Sequence, residues 1–156
     1  MRVLVIRHAQ AVPHGSGVSD AERALTAEGA RRFRAAAKEL AHLVPRPEAL
    51  LTSPLLRARQ TAALIAAAWG DIEPVLEAAL ASGSVDGILA AIDHYPRGAT
   101  VALVGHEPTV SALVAELVGV RTGEAVAFEP GAAALIEITS VARRRGRLVW
   151  FRSDAY

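Results

Sequence analysis

"RVLVIRHAQA", residues 2–11, runs through Val3, Leu4, Val5 and Ile6 and then breaks into Arg7-His8. A stretch that is apolar at every position, not at alternate ones, reads as a strand buried on both faces. Such strands belong to parallel sheets covered by helices. A cation and an imidazole have no place in that core. They make sense if the strand delivers them to a pocket at its end.

Working outward, the rest of the chain supplies the partners of this strand. Residues 11–20 carry Pro13, Gly15, Ser16, Gly17 and Ser19 and read as a loop. A helix is expected from about 27 to 44, with Thr26 as its N-cap and Phe33, Ala36, Ala37, Leu40 and Leu43 as its apolar stripe; Pro45 and Pro47 stop it. A short strand at 48–53 follows. Ser53 and Pro54 then read as the cap and first position of a second helix. Residues 72–76 are a weak strand, 84–94 a third helix, and "TVALVG" (100–105) a second fully buried strand. The next helix has Pro108 near its start and Gly119 just past its end. Residues 132–139 and 147–151 read as a hairpin with Gly146 in its turn. Strands alternating with helices predict a three-layer α/β/α sandwich with a mostly parallel central sheet and an antiparallel edge. One domain over residues 1–156 is expected, since no repeat, low-complexity segment or linker divides the chain.

Composition narrows the function classes. Apolar residues make up 52% of the chain, enough for a core without staples. The net charge of +1 gives no electrostatic case for nucleic acid or an anionic membrane as partner. With no cysteine there are no disulfides, thiolate metal sites or Cys nucleophiles, and a cytoplasmic location is expected. The apolar run 3–6 is too short for a signal peptide, and no window approaches the roughly 20 apolar residues of a bilayer span.

Three strands end in reactive or cationic residues. The first ends in Arg7-His8. The second leads into "TSPLLRARQTA" (52–62), with Arg57 one turn into the helix. The third ends in "VGHEP", with His106 at the strand-to-helix junction. Ligands of open α/β sheets bind outside the carboxyl ends of the strands. Two guanidinium groups and two imidazoles, with no carboxylate cluster among them, suit an anion. Helix N-termini add positive dipole ends, and the Arg fork matches phosphate oxygens. Histidine is a competent nucleophile towards phosphorus. The residues therefore point to phosphoryl binding or transfer without metal. A zinc site built from His8, His14 and His106 is disfavoured, because Arg7 and Arg57 would repel the ion.

With these motifs in hand, the sequence resembles the histidine phosphatase superfamily, the phosphoglycerate-mutase-like or RHG group, and within it the short SixA-type phosphohistidine phosphatases. "VIRHAQA" matches the first family motif, with Ala9 where glycine is usual. "ERALTAEGARR" (22–32), "TSPLLRARQTA" and "VALVGHEPTV" (101–110) match the others in order and at family spacing. The resemblance implies the phosphoglycerate-mutase-like fold and a covalent mechanism without metal or cofactor. His8 would be the nucleophile and become phosphorylated, and Arg7, Arg57 and His106 would bind the phosphoryl oxygens. It implies a phosphorylated partner, either a histidine phosphotransfer or phosphocarrier protein or a small phosphorylated metabolite.

The larger members carry an acidic proton donor after the second motif. Here that segment is "VLEAALASGSVDG" (75–87), where Glu77 is the nearest candidate and Asp86 and Glu107 are others. An alkoxide leaving group needs a proton, whereas an imidazole leaves more readily. A weak acid position therefore favours an N–P substrate over a small-molecule phosphomonoester, which stands as the alternative. A third reading is a non-catalytic phospho-ligand binding domain. His14, His42 and His94 read as loop or helix-surface residues, Arg59 as a solvated helix residue, and the basic run 142–147 as a turn between strands.

Overall fold

The buried aliphatic runs at 3–6 and 101–104 become central strands of a sheet that has helices packed on both faces. In chain order the elements are β1 (Arg2–Arg7), α1 (Ala27–Leu43), β2 (Ala49–Thr52), α2 (Leu56–Ala68), β3 (Pro74–Leu76), α3 (Ala79–Ser82) and α4 (Val85–Asp93). They continue with β4 (Thr100–Gly105), α5 (Thr109–Val118), β5 (Ala133–Ser140) and β6 (Arg145–Arg152). A single 3₁₀ turn, Asp20–Glu22, interrupts the β1–α1 connection. The computed structural model describes residues 1–122 and 124–153.

The strands form one six-stranded sheet in the order β3-β2-β4-β1-β5-β6. The first four are mutually parallel, while β5 pairs antiparallel with both β1 and β6. Val3 and Val5 pack on one side of the sheet against Leu80, Ile88, Ile92, Leu113 and Leu117 of α3, α4 and α5. Leu4 and Ile6 pack on the other side against Phe33 and Leu40 of α1 and Ile65 of α2. Alternate side chains of β1 thus enter two different cores, which is why its sequence shows no polar face. Fully burying each of these side chains stabilises the fold by about 1.5–3 kcal/mol. Among the described residues no helix is long and apolar enough to cross a membrane.

The expected element order holds with one addition, the short helix α3 ahead of α4, and with local differences. Helix α2 begins at Leu56 rather than at Ser53-Pro54. The Ser53 amide continues the sheet ladder to the Val104 carbonyl at 3.0 Å, and its hydroxyl accepts from the Leu55 amide at 3.2 Å, so the chain turns two residues later. The stripe of α1 ends on fully buried Val44, and Leu43 is exposed. The helix stops at Leu43, and the extended conformation of Val44 turns its side chain into the core. Gly146 lies inside β6, opposite Ile138, and the turn is formed by the residues before it. A Cβ at Gly146 would sit 3.0 Å from the Glu137 carbonyl oxygen, so the strand pair itself wants glycine there. Two of the four arginines in the basic run are paired: Arg144 contacts Asp86 and Glu116, and Arg147 contacts Glu137.

One glycine ties helix α1 to the chain leaving β1. Thr26 caps α1 by accepting from the Gly29 amide at 2.9 Å, and the Thr26 amide donates to the Gln10 carbonyl at 3.0 Å. A Cβ at Gly29 would lie 2.3 Å from that same carbonyl oxygen. The obstacle is backbone, which cannot rotate away. Gly29→Ala should therefore cost about 2 kcal/mol of stability, read as a lower urea midpoint at unchanged m-value. An unchanged midpoint would show that α1 can shift off Gln10 freely.

Candidate active site

Register places the site. Arg7 of β1 lies opposite Gly105 of β4, and Thr52 of β2 lies opposite Val104. The three strands end level, with β4 in the middle. The ladder runs one residue further on each side: the His8 amide donates to the Gly105 carbonyl and the Ser53 amide to the Val104 carbonyl, both at 3.0 Å. His8, His106 and Ser53 therefore leave the sheet side by side. The His8 and His106 rings lie 5.1 Å apart between centroids, and His106 Nε2 is 2.7 Å from Ser53 Oγ.

His8 is buried, 7% exposed, and its Nδ1 lies 2.7 Å from the Ala9 carbonyl oxygen. A carbonyl only accepts, so Nδ1 carries the proton and Nε2 keeps its lone pair. Burial pushes the imidazole from 6.5 down to about 3; His106, Arg57 and Arg7 push the same way, and the Ala9 hydrogen bond opposes them. For His106, burial followed by the Arg57 and Arg7 charges lowers the value to about 4, with Asp20 pulling upward. Both rings are neutral at pH 7.

The two guanidinium groups are anchored by carbonyl oxygens. Arg7 Nη1 donates to Phe128 O at 2.8 Å, and Arg57 Nη1 donates to Asp20 O at 2.7 Å. Arg57 Nη2 also faces Asp20 Oδ2 at 3.3 Å. Arg7 Nε, Arg57 Nε and His106 Nδ1 are buried and have no hydrogen-bond partner. A buried donor left without an acceptor costs about 1–3 kcal/mol. Oxygens of a bound anion could supply those acceptors, with charge assistance from the guanidinium groups.

Neighbouring motif residues brace this arrangement. Thr61 is fully buried. It donates its hydroxyl to Arg57 O at 2.8 Å and accepts from the Ala9 amide at 3.0 Å, so α2 is fastened to the residue after His8. Gln60 Oε1 accepts from the Leu25 amide at 2.7 Å and ties α2 to the start of α1. Arg23 donates to Val12 O at 2.7 Å and to Asp20 Oδ1 at 2.9 Å, shaping the loop that carries Asp20.

The structure thus gathers Arg7, His8, Arg57 and His106 at one sheet edge. The acidic candidates are engaged elsewhere. Glu77 Oε2 accepts from the Ala79 amide at 2.9 Å, and Glu77 lines a crevice with Leu51, Val75, Ala91 and Tyr95. Asp86 pairs with Arg144. Both Glu107 oxygens are taken by Ser111, through its amide at 2.9 Å and its hydroxyl at 2.6 Å. His14 is exposed, with Nδ1 3.5 Å from Asp20 Oδ1. Asp20, whose charge reaches His106, was not singled out in the sequence. Its only signal there is its place three residues before Arg23. The partnership of Ser53 with His106 was equally invisible, because it depends on the register of β2 with β4. Among the described residues no three histidine or carboxylate side chains come together in a way that could hold a metal ion.

Comparison with known proteins adds the family. The model of the histidine phosphatase superfamily (branch 1) matches residues 3–88. The structure of the protein histidine phosphatase SixA complexed with tungstate superposes with a TM-score of 0.84 at 28% identity, over 99% of this chain and 97% of that one. A structure from Agrobacterium tumefaciens, assigned as the phosphohistidine phosphatase SixA, gives 0.82 at 26% identity over 97% of each chain. An uncharacterized protein of Picosynechococcus is 37% identical over 111 residues, 69% of this chain and 67% of that protein.

The two depressed histidines have a consequence for stability. Their folded values, about 3 and about 4, lie below the ordinary 6.5. Between these limits the unfolded chain binds protons that the folded chain refuses, so stability rises with pH there. Their contribution is complete above about 6.5 and is lost as the pH falls towards the folded values, by at most ~1.4 kcal/mol per pH unit for each ring. In urea unfolding, the stability of the wild type should fall relative to that of a His8→Asn, His106→Asn double variant as the pH drops from 6.5 to 4.5. Parallel curves would mean that the rings are not held neutral.

Proposed function

The chain belongs to the histidine phosphatase superfamily, and from that premise we propose that it is a metal-independent phosphohistidine phosphatase using His8 as nucleophile. The observation that carries the reading is the His8 imidazole itself. It is locked by Ala9 in the tautomer that leaves Nε2 free, and it stands among Arg7, Arg57 and His106.

In the first step the Nε2 lone pair attacks phosphorus. The N–P bond of the substrate breaks, its electron pair goes to the leaving imidazole nitrogen, and that nitrogen takes a proton from solvent. Arg7 and Arg57 neutralise the charge spread over the phosphoryl oxygens, and the neutral His106 imidazole contributes a hydrogen bond to them. The phosphorylated His8 ring carries positive charge, and its Nδ1–H bond to Ala9 O stabilises that form. Water then attacks phosphorus, the electron pair of the breaking bond returns to Nε2, and phosphate departs. Before reaction, burial and the surrounding cations keep His8 neutral and nucleophilic. During reaction, the same cations meet a compensating anion.

An N–P substrate is supported by the engagement of the acidic candidates. Glu77 and Glu107 hold helix N-terminal amides, and Asp20 is bound by Arg23 and Arg57. Against the opposing effect of desolvation, the hydrogen bond from Arg23 and the Arg57 charge hold Asp20 below the usual carboxylate range. An alkoxide leaving group would need a protonated acid; an imidazole needs far less help. The similarity to SixA structures points the same way. The partner is then a histidine-phosphorylated phosphotransfer or phosphocarrier protein, and the cysteine-free chain suits the cytoplasm.

The test is phosphate release from a histidine-phosphorylated protein and from a panel of phosphate monoesters, measured side by side in chelator. Rapid release from the N–P substrate and slow release from esters is the expected result. His8→Ala should lower turnover at least ~10³-fold while the fold persists. Preference for esters would replace this reading by a small-molecule phosphomonoesterase. Full turnover by His8→Ala would remove the covalent mechanism.

A further inference from the structure

We propose that Asp20 is the resting counter-ion of Arg57, ceding it to the incoming phosphoryl group and reclaiming it as phosphate leaves. Asp20 would thereby set how tightly the site retains its product. The inference rests on the reading of Arg57 as a phosphoryl ligand.

Arg57 is a buried cation, with a side chain only 7% exposed. Its charge is met by Asp20 alone among the ion pairs of the described residues. The pairing is unequal. The Asp20 carboxylate lies 2.9 Å from Arg23 Nε but 3.3 Å from Arg57 Nη2, at the long end for a charge-assisted hydrogen bond. Its firm commitment is to Arg23, and its hold on Arg57 is the weaker one. A dianion with oxygens for both Nη2 and the unpartnered Nε would outcompete it.

The geometry also permits the exchange without unfolding anything. The Asp20 side chain is 51% exposed, so its carboxylate can move away from Arg57 into solvent while keeping Arg23. The main chain can stay in place, because Arg57 Nη1 holds the Asp20 carbonyl at 2.7 Å and Arg23 holds the Val12 carbonyl at 2.7 Å. The Ala11–Leu25 bridge closes the base of the same loop. The guanidinium therefore keeps its orientation through the main-chain carbonyl while one of its two Nη groups changes partner.

A half-exposed carboxylate beside an anion site otherwise repels the ligand. Its cost is useful if it limits product retention. A site with Arg7, Arg57 and two imidazoles, and with no such carboxylate, would hold free phosphate strongly after each turnover.

The experiment is calorimetric binding of inorganic phosphate at pH 7 to wild type, Asp20→Asn and Asp20→Ala. Glu137→Gln serves as a control for net charge, since Glu137 pairs with Arg147 on β6. Asp20→Ala is included because an asparagine carbonyl could still accept from Arg57. Both Asp20 variants should bind phosphate about tenfold more tightly than wild type, as expected when one charge-assisted competitor is removed. The control should bind as wild type does. Equal or weaker binding by the Asp20 variants, or a gain no larger than that of the control, overturns the proposal and leaves the anion site standing. Absence of phosphate binding in wild type and variants alike overturns the phosphoryl-site reading and this proposal with it.

Discussion

The parallel pairing of β1 and β2 with the central strand β4 is the constraint on which the rest depends. Its register brings Arg7, Gly105 and Thr52 to one edge, and the next residue of each strand continues the same ladder. Nothing else in the chain would bring positions 8, 53 and 106 together. The apolar residues that make these strands are thus as necessary to the site as the histidines. They stabilise a sheet whose two faces are both covered, and a strand covered on both faces can expose chemistry only at its ends. A slip of β1 by one residue would exchange Leu4 and Ile6 with Val3 and Val5 between the two cores. It would also move His8 out of line with His106.

That constraint creates an electrostatic problem. Cations and imidazoles are held in a partly desolvated space, where like charges oppose one another. The molecule answers in two ways. The imidazoles give up their charge, and the depressed values of His8 and His106 are the record of that. The guanidinium groups, which cannot deprotonate, take carbonyl and carboxylate partners instead: Phe128 O for Arg7, and Asp20 for Arg57. The neutral state of His8 and the ion pair of Arg57 are then two outcomes of one cause. In the proposed mechanism both serve an incoming anion: one keeps a lone pair available, and the other keeps a buried cation in place.

Much of this was legible in the sequence, for reasons that can be named. Buried parallel strands write themselves as unbroken aliphatic runs, so β1 and β4 were plain. The cap of α1 by Thr26 follows from local chemistry alone. Arg7, His8 and His106 stand out as polar groups at the ends of such runs, and Arg57 as a cation one turn into the helix that follows β2. What could not be read is whatever depends on distant residues meeting. Ser53 looked like a helix cap because that role is local; its bond to His106 exists only once β2 and β4 pair. Gly146 looked like a turn residue because glycine usually is one. Its actual reason is a carbonyl on the neighbouring strand. Asp20 sat in a loop rich in glycine and serine, where an aspartate carries no signal until Arg57 arrives beside it.

The distribution of carboxylates gives the site its chemical character. Glu107 is adjacent to His106 in sequence, yet Ser111 occupies both its oxygens at the first turn of α5. Glu77 follows the strand next to β2, yet it is bound to the amide of Ala79. Asp20 reaches the cluster but does so as an anion among arginines. A proton donor must hold its proton at working pH, and a carboxyl stabilised as its anion by two guanidinium groups does not. The reacting centre is therefore rich in groups that bind charge and poor in groups that give protons. Such a centre lowers the barrier for a leaving group that departs readily by itself and does little for one that does not. The proposed preference for nitrogen over oxygen as the atom released from phosphorus rests on the same placement of charges that keeps the His8 imidazole neutral with a free Nε2.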